Sequence, residues 1–347
     1  MRWLIALLFV LPLFAAPCSL GAAEAPFRGG GGSPPPSVGG TMIVPPSGGD
    51  DTAPIQTACN KGAVQLTGGV YHVTAITCKA ITGMVNADDF FWYQGQQPTV
   101  KMVGTPAGKR GVVTCPSPGP CTYQSFTISP PAGTSGIVLD SVHGASLLDM
   151  NIVDDQGGNS SHCVDMVRSG EDNQNLVIRG GTYIHCGGWC VEADVTSDGQ
   201  IIGADIANCQ KGGVHIAYGY GWRITGNYIQ GGFAASGFVW DCCGDGNITG
   251  NHFDENWSDM VLGSRAQDGG VYLSASGNSS CRTQGGAMFE FAGSAYVIAA
   301  ANISCGPTYY LRPGTVVGGG FYDPNLTNAF PAGDNGVTRT AMTGLIH

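Results

Sequence analysis

Residues 190–195 read "CVEADV": Val191, Ala193 and Val195 are small and apolar, and Glu192 and Asp194 between them are acidic. Strict alternation of this kind marks a β-strand with one buried and one outward face. The stretch has copies. Blocks of the same kind stand at 136 ("GIVL"), 163 ("CVDM"), 190 ("CVEA"), 213 ("GVHI"), 237 ("GFVW") and 259 ("DMVL"), spaced by 27, 27, 23, 24 and 22 residues. Each is followed by further short β segments, in "LLDMNI" from 147, "IIGADI" from 201, "RITGNYI" from 223 and "NITGNHF" from 247. "VYLSASGN" and "YVIAAANI" are weaker copies. A β repeat of this length, with a Gly or Asn turn and no 3.6-residue period, describes one coil of a solenoid. A single coil cannot bury its apolar side, so coils stack with their strands in parallel register. The expected fold is all-β, a single-stranded parallel β-helix, right-handed by the usual crossover preference.

Stacking the blocks brings their third positions into one outward column: Val138, Asp165, Glu192, His215, Val239 and Val261. Two positions further along stand Asp140, Val167, Asp194, Ala217, Asp241 and Gly263. Three consecutive coils thus carry Asp, Glu and His at rungs about 4.8 Å apart, with Val on both sides. Carboxylates two rungs apart, with room between them, suit cleavage of a glycosidic bond in which one acid protonates the leaving oxygen and the other activates water. The candidate catalytic residues are Asp165, Glu192, Asp194 and Asp241, paired as Asp194 with Asp241 or Asp165 with Glu192. His215 would orient a carboxyl or shuttle a proton. Crowding of like charges is expected to raise the pKa of at least one of these acids. Trp189, Tyr218, Tyr220, Trp222 and Trp257 lie near the column and are candidates to stack on sugar rings, whereas Trp240 has the inward parity. Arg168, with Arg223 and Arg265, is a candidate partner for an acidic substrate group. Calcium at Asp165, Glu192 and Asp194 is the one cofactor these residues suit, through their carboxylate oxygens. The same column also reads as a solvated acidic face.

The N-terminus has the layout of a secretory signal peptide over residues 1–23: Arg2, the apolar run "WLIALLFVLPLFAA", then small residues. Residues 24–48, rich in Gly, Pro and Ser, read as a flexible linker, and 49–347 as one β-helix domain. Only 12% of the chain is charged and the net charge is −10, which offers nucleic acid or an anionic membrane no basic surface. Twelve of the 13 cysteines remain once Cys18 leaves with the signal, an even count that reads as disulfides in an exported chain. Matching positions in adjacent coils suggest Cys163 with Cys190, Cys186 with Cys209 and Cys281 with Cys305. Cys115 with Cys121 and Cys59 with Cys78 are local pairings, and Cys242 and Cys243 stay unassigned. Asn151, Asp205, Asn227, Asn251 and Asn302 fall near one turn of successive coils and are expected to form an internal ladder. Asn159, Asn247, Asn256, Asn278, Asn302 and Asn325 lie in N-x-S/T triplets, compatible with glycosylation.

"GGDDTAPIQTAC" (48–59) followed by "AVQLTGGVYHV" (63–73) resembles the entry segment of the pectate-lyase-like superfamily of right-handed β-helices. The resemblance implies a short helix capping the solenoid, for which Asp51 is a suitable N-cap, and then a strand. It also implies an activity that cuts or binds polysaccharides. The polygalacturonase set (Asn-Thr-Asp, Asp-Asp, Gly-His-Gly and Arg-Ile-Lys on successive coils) is absent, as is the calcium-and-arginine pattern of pectate lyases. With no basic groove visible, the expectation is a secreted glycoside hydrolase acting on a polysaccharide, with a pectate-type lyase or a non-catalytic adhesive β-helix as alternatives.

Overall fold

The computed structural model describes residues 40–83, 100–104, 110–155, 159–232, 235–263, 270–281, 287–293, 295–305, 309–311, 317–318 and 321–322. Residues 1–23, expected as a signal peptide, and residues 24–39 lie outside them. The described chain winds into a parallel β-solenoid whose coils each have three strands. One coil runs through Trp189–Ser197, Gln200–Ile202 and Asp205–Ala207, and the next through Gly212–Tyr220, Trp222–Thr225 and Tyr228–Gln230. Every strand pairs in parallel with its counterpart one coil away. First and second strands belong to a 23-stranded sheet, and third strands form a separate 10-stranded sheet. "IIGADI" therefore supplies two strands. It breaks at Gly203, and the next two coils break at Gly226 and Gly250, with φ of 64°, 65° and 64°. That left-handed conformation turns the chain sharply and is open to glycine at little steric cost.

Inward residues of all three walls fill the lumen, and Tyr183, Trp222, Phe238, Trp240 and Phe253 are all fully buried there. Burying one large apolar side chain contributes about 1.5–3 kcal/mol, so a coil gains its stability from the neighbours that cover it. Helix Thr52–Cys59 packs at the N-terminal end through Ile55 and Ala58. Asp51 occupies its N-cap position, but the carboxylate accepts from Ser47 N (2.7 Å) and His72 N (3.1 Å), while Asp50 accepts from Thr52 N at 2.9 Å. Met42–Val44, expected in the linker, pairs with Val64–Leu66, because three apolar residues in a row there find a sheet edge to cover.

The polar ladder inside the solenoid consists of Asn227, Asn251, Asn278 and Asn302. Each Oδ1 of the last three accepts from both the backbone N–H and the Nδ2 of the asparagine one coil back, at 2.9–3.0 Å. Each Nδ2 also donates to a strand carbonyl, of Ile201, Ile224, Ile248 or Ala275. Asn151 and Asp205, expected in this ladder, sit one residue later, at the first, outward position of their strands. Strand parity excludes them, and Ala204 takes the rung where Asp205 was expected, its N–H donating to Asn227 Oδ1.

Cys59 pairs with Cys78 and Cys115 with Cys121, as expected. The two inter-coil pairings are corrected: Cys163 bonds Cys186, and Cys190 bonds Cys209. Stacked positions are close enough, but their Cα–Cβ vectors run parallel. Cysteines at the start of a coil's first strand and just past its third strand point at each other across the lumen, with Cα atoms 5.6 and 5.5 Å apart. The two bridges touch, with Cys163 Sγ 3.9 Å from Cys209 Sγ. Cys305 is disulfide-bonded, and its expected partner Cys281 has a side chain outside those described. Four described disulfides fit an oxidising, extracellular setting. Among the described residues no helix is long and apolar enough to cross a membrane.

Candidate active site

The register aligns Val138, Asp165, Glu192, His215 and Val239 as one column of directly paired residues. All face away from the lumen on first strands, because their neighbours Val164, Val191 and Val214 fill it. Asp165, Glu192, Asp194 and His215 open into a groove of about 310 Å³, together with Arg110, His162, Met166, Trp189 and Lys211.

His215 is clamped between two carboxylates. Its Nδ1 lies 2.8 Å from Glu192 Oε1 one coil back, and its Nε2 lies 3.1 Å from Asp241 Oδ2 one coil forward. Trp189 stacks on its ring, with centroids 4.9 Å apart and planes inclined by 24°. Burial works to lower the histidine pKa, but the hydrogen bonds and charges of Asp241 and Glu192 outweigh it and push it up to about 9. At neutral pH both ring nitrogens carry protons and donate.

Asp165, buried one rung back, accepts from Arg110 Nε at 3.0 Å and Nη2 at 3.5 Å, and from Ser135 Oγ at 3.2 Å. His162 sits in the turn before the same strand, where its Nδ1 accepts from Trp189 N–H at 2.9 Å. Burial lowers its pKa against the opposing pull of Asp165 and Glu192, so the ring is neutral at pH 7 and its proton sits on Nε2. Gly212 makes room for Trp189, since a Cβ there would lie 2.2 Å from the indole. Asp194 and Lys211 stand exposed at the groove's margin.

Other expected residues fall elsewhere. Asp241 is buried behind His215 and does not line the groove. Trp222 is a correction: it has the inward parity, is fully buried, and donates from Nε1 to Thr196 O at 3.0 Å. Tyr218 is half-buried, and Tyr220 and Trp257 are 56% and 48% exposed, but none of the three lines the groove. Arg168 pairs with Asp172 at 3.0 Å, away from it, and Arg265 lies outside the described residues. Arg110, His162 and Lys211 were not singled out from the sequence. They precede their strands, and reading the turn residues just upstream of each block would have brought His162, Trp189 and Lys211 together.

The one cluster of potential metal ligands among the described residues, Cys163, Cys186 and Cys209, consists of sulfurs already in disulfides. Asp165 and Glu192 already have cationic partners, so the proposed calcium set would compete with Arg110 and His215 for its oxygens.

No family model and no curated protein matches the sequence. Among solved structures, the chain is similar to tailspike protein 2 of an Escherichia coli O157:H7 bacteriophage, at 14% identity and a TM-score of 0.49. That match covers 75% of this chain and 42% of the tailspike. It is also similar to the mannuronan C-5 epimerase A-module of Azotobacter vinelandii (12% identity, TM-score 0.43, 80% and 95% covered) and to a surface protein and adhesin of Streptococcus pneumoniae (11% identity, TM-score 0.45, 82% and 97% covered). The chain spans less than half the length of that tailspike. With its three-stranded coils and capping helix, the chain has a parallel β-helix fold.

Proposed function

We propose that this protein is an enzyme that cleaves glycosidic bonds in a polysaccharide laid across the outward column. The observation that carries the reading is the clamp on His215, which hydrogen-bonds Glu192, fixes its orientation and leaves it facing an open groove. Asp194 lies two residues along the same strand and on the same face, so its Cα stands about 6.6 Å from that of Glu192. That backbone spacing is compatible with two carboxyls about 6.5–9.5 Å apart, the separation that lets one acid protonate the leaving oxygen while the other activates water. Glu192 is then the base and Asp194 the proton donor. His215 and Asp241 are positioning residues, and Trp189 and His162 Nε2–H offer the sugar a ring face and a donor. Asp165, held in place by Arg110, stabilises positive charge developing on the sugar.

A second reading has an observation of its own. Arg110 and Lys211 place two cations beside these acids, and cations are what elimination next to a uronate carboxylate requires. One assay separates the readings. On a panel of plant, algal and bacterial polysaccharides, hydrolysis releases a new reducing end without ultraviolet absorbance, and elimination releases an unsaturated sugar that absorbs near the ultraviolet edge. Glu192→Gln and Asp194→Asn should each lower turnover by about 10²–10⁴; unchanged turnover in both would overturn the assignment. Because Arg110 and His215 already neutralise Asp165 and Glu192, chelation by EDTA should leave turnover unchanged.

A further inference from the structure

The same coils carry a second pocket, on the 10-stranded sheet. It measures about 240 Å³ and is lined by Ile184, Asp205, Ala207, Asn208, Tyr228 and Gln230. Its floor is apolar. Ile184 and Ala207 have the outward parity yet are 3% and 6% exposed, and with Val153 they form an apolar cluster separate from the lumen. Around that floor stand hydrogen-bonding groups held in place by their neighbours. Tyr228 stacks on His252 with centroids 5.6 Å apart, and its hydroxyl donates to Asp254 Oδ2 at 3.1 Å. Asn208 Nδ2 lies 3.4 Å from Gln230 Oε1, and Gln230 Nε2 donates to Glu255. Asp205 Oδ1 is out of contact with solvent and has no hydrogen-bond partner. An unpartnered buried acceptor is costly, and a small outward shift of the half-buried Asp205 side chain would present it to a ligand hydroxyl in the pocket.

The geometry points to a non-catalytic carbohydrate-binding site at which one neutral hexose unit of a glycan chain rests on Ile184, Ala207 and Tyr228 and donates hydroxyls to Asp205. An apolar platform beside an aromatic ring matches the C–H face of a pyranose, and a carboxylate with two amides matches its hydroxyl rim. The volume, below the ~300–1,000 Å³ of clefts for drug-sized ligands, suits a single ring. A uronate is disfavoured: none of the lining residues is Lys or Arg, and Asp254 and Glu255 add further negative charge beside Asp205. The site does not depend on the cleavage reading, since it lies on a different sheet from Glu192.

The test is isothermal titration of the full chain with methyl glycosides of D-glucose, D-galactose and D-mannose, and with methyl D-galacturonoside as the anionic counterpart. Saturable binding of a neutral glycoside is expected, at least tenfold tighter than the uronoside. Asp205→Asn and Asn208→Gly should each weaken it at least fivefold, and Glu192→Gln should leave it unchanged. Asn208 already has φ of 57°, a conformation glycine takes freely, so that variant keeps the fold. The proposal is overturned by any of three results: no saturable binding, equal or tighter binding of the uronoside, or binding that survives both pocket variants or is lost with Glu192→Gln.

Discussion

Protonated His215 holds the central pair of carboxylates together, and this makes the fold sensitive to pH in a defined direction. An unfolded histidine titrates near 6.5, and in the fold His215 is pushed up to about 9. The folded state binds the proton more tightly, so the stabilisation is complete below about pH 6.5 and is lost as pH rises through about 9. The melting temperature of the wild type should therefore fall from pH 7 to 9.5 by more than that of His215→Gln. Parallel curves would show that the clamp does not hold the proton. At this scale the sequence was informative where strand parity decides. Asp165, Glu192 and His215 share one position of a period-2 pattern, whereas Trp222, expected to stack on sugar, faces inward by the parity of its own strand, Trp222–Thr225. Arg110, His162 and Lys211 were not legible because they sit in turns, where parity does not apply. Asp241 was legible as outward, but its contact runs diagonally across one coil to His215, which depends on side-chain reach.

At the level of the element, each coil is closed by its own devices. The asparagine ladder satisfies the backbone at the corner before the third strand of the coils carrying Asn227, Asn251, Asn278 and Asn302, and Asn251 lies inside it. Asn251→Ala removes the acceptor of Asn227 N–H and Nδ2 and the donor to Ile224 O, leaving buried polar groups without partners. A loss of about 3 kcal/mol is expected from urea unfolding, against a smaller loss for Asn302→Ala, which makes the matching bonds to Asn278 and Ala275 but donates to no further rung of the described ladder, whereas Asn251 also donates to Asn278 Oδ1. Equal losses would show that the ladder does not act as a chain. The ladder was found from the sequence in its later coils, where "TGN" recurs. It was misread earlier because Asn151 and Asp205 stand one residue off the rung, and a shift of one residue reverses the facing. Cysteine pairing was misjudged for a related reason: spacing gives distance along the stack, but bond formation depends on the direction of Cβ.

Across the whole molecule, stability is a sum over neighbouring coils, so a staple in one coil supports those packed on it. Removing the Cys190–Cys209 bridge with Cys190→Ser and Cys209→Ser opens the coil that carries Glu192. For a loop of this length, 19 residues apart in sequence, the cost is about 3 kcal/mol, readable as a lower urea midpoint. The solenoid itself was legible in the sequence because a repeat has to recur, and recurrence shows without any contact being known; the capping helix was implied only by the resemblance of residues 48–73. The ladder has one further consequence for how the chain can be made. Asn278 and Asn302 are ladder rungs, and Asn256, also buried, donates to Asp259 Oδ1 and Ile229 O; all three lie in N-x-S/T triplets. A host that attaches glycans to nascent chains would reach these amides before the coils close, and a sugar placed there would bar the next coil from docking. Production in cells that lack this modification, but that oxidise thiols, is the route the architecture favours.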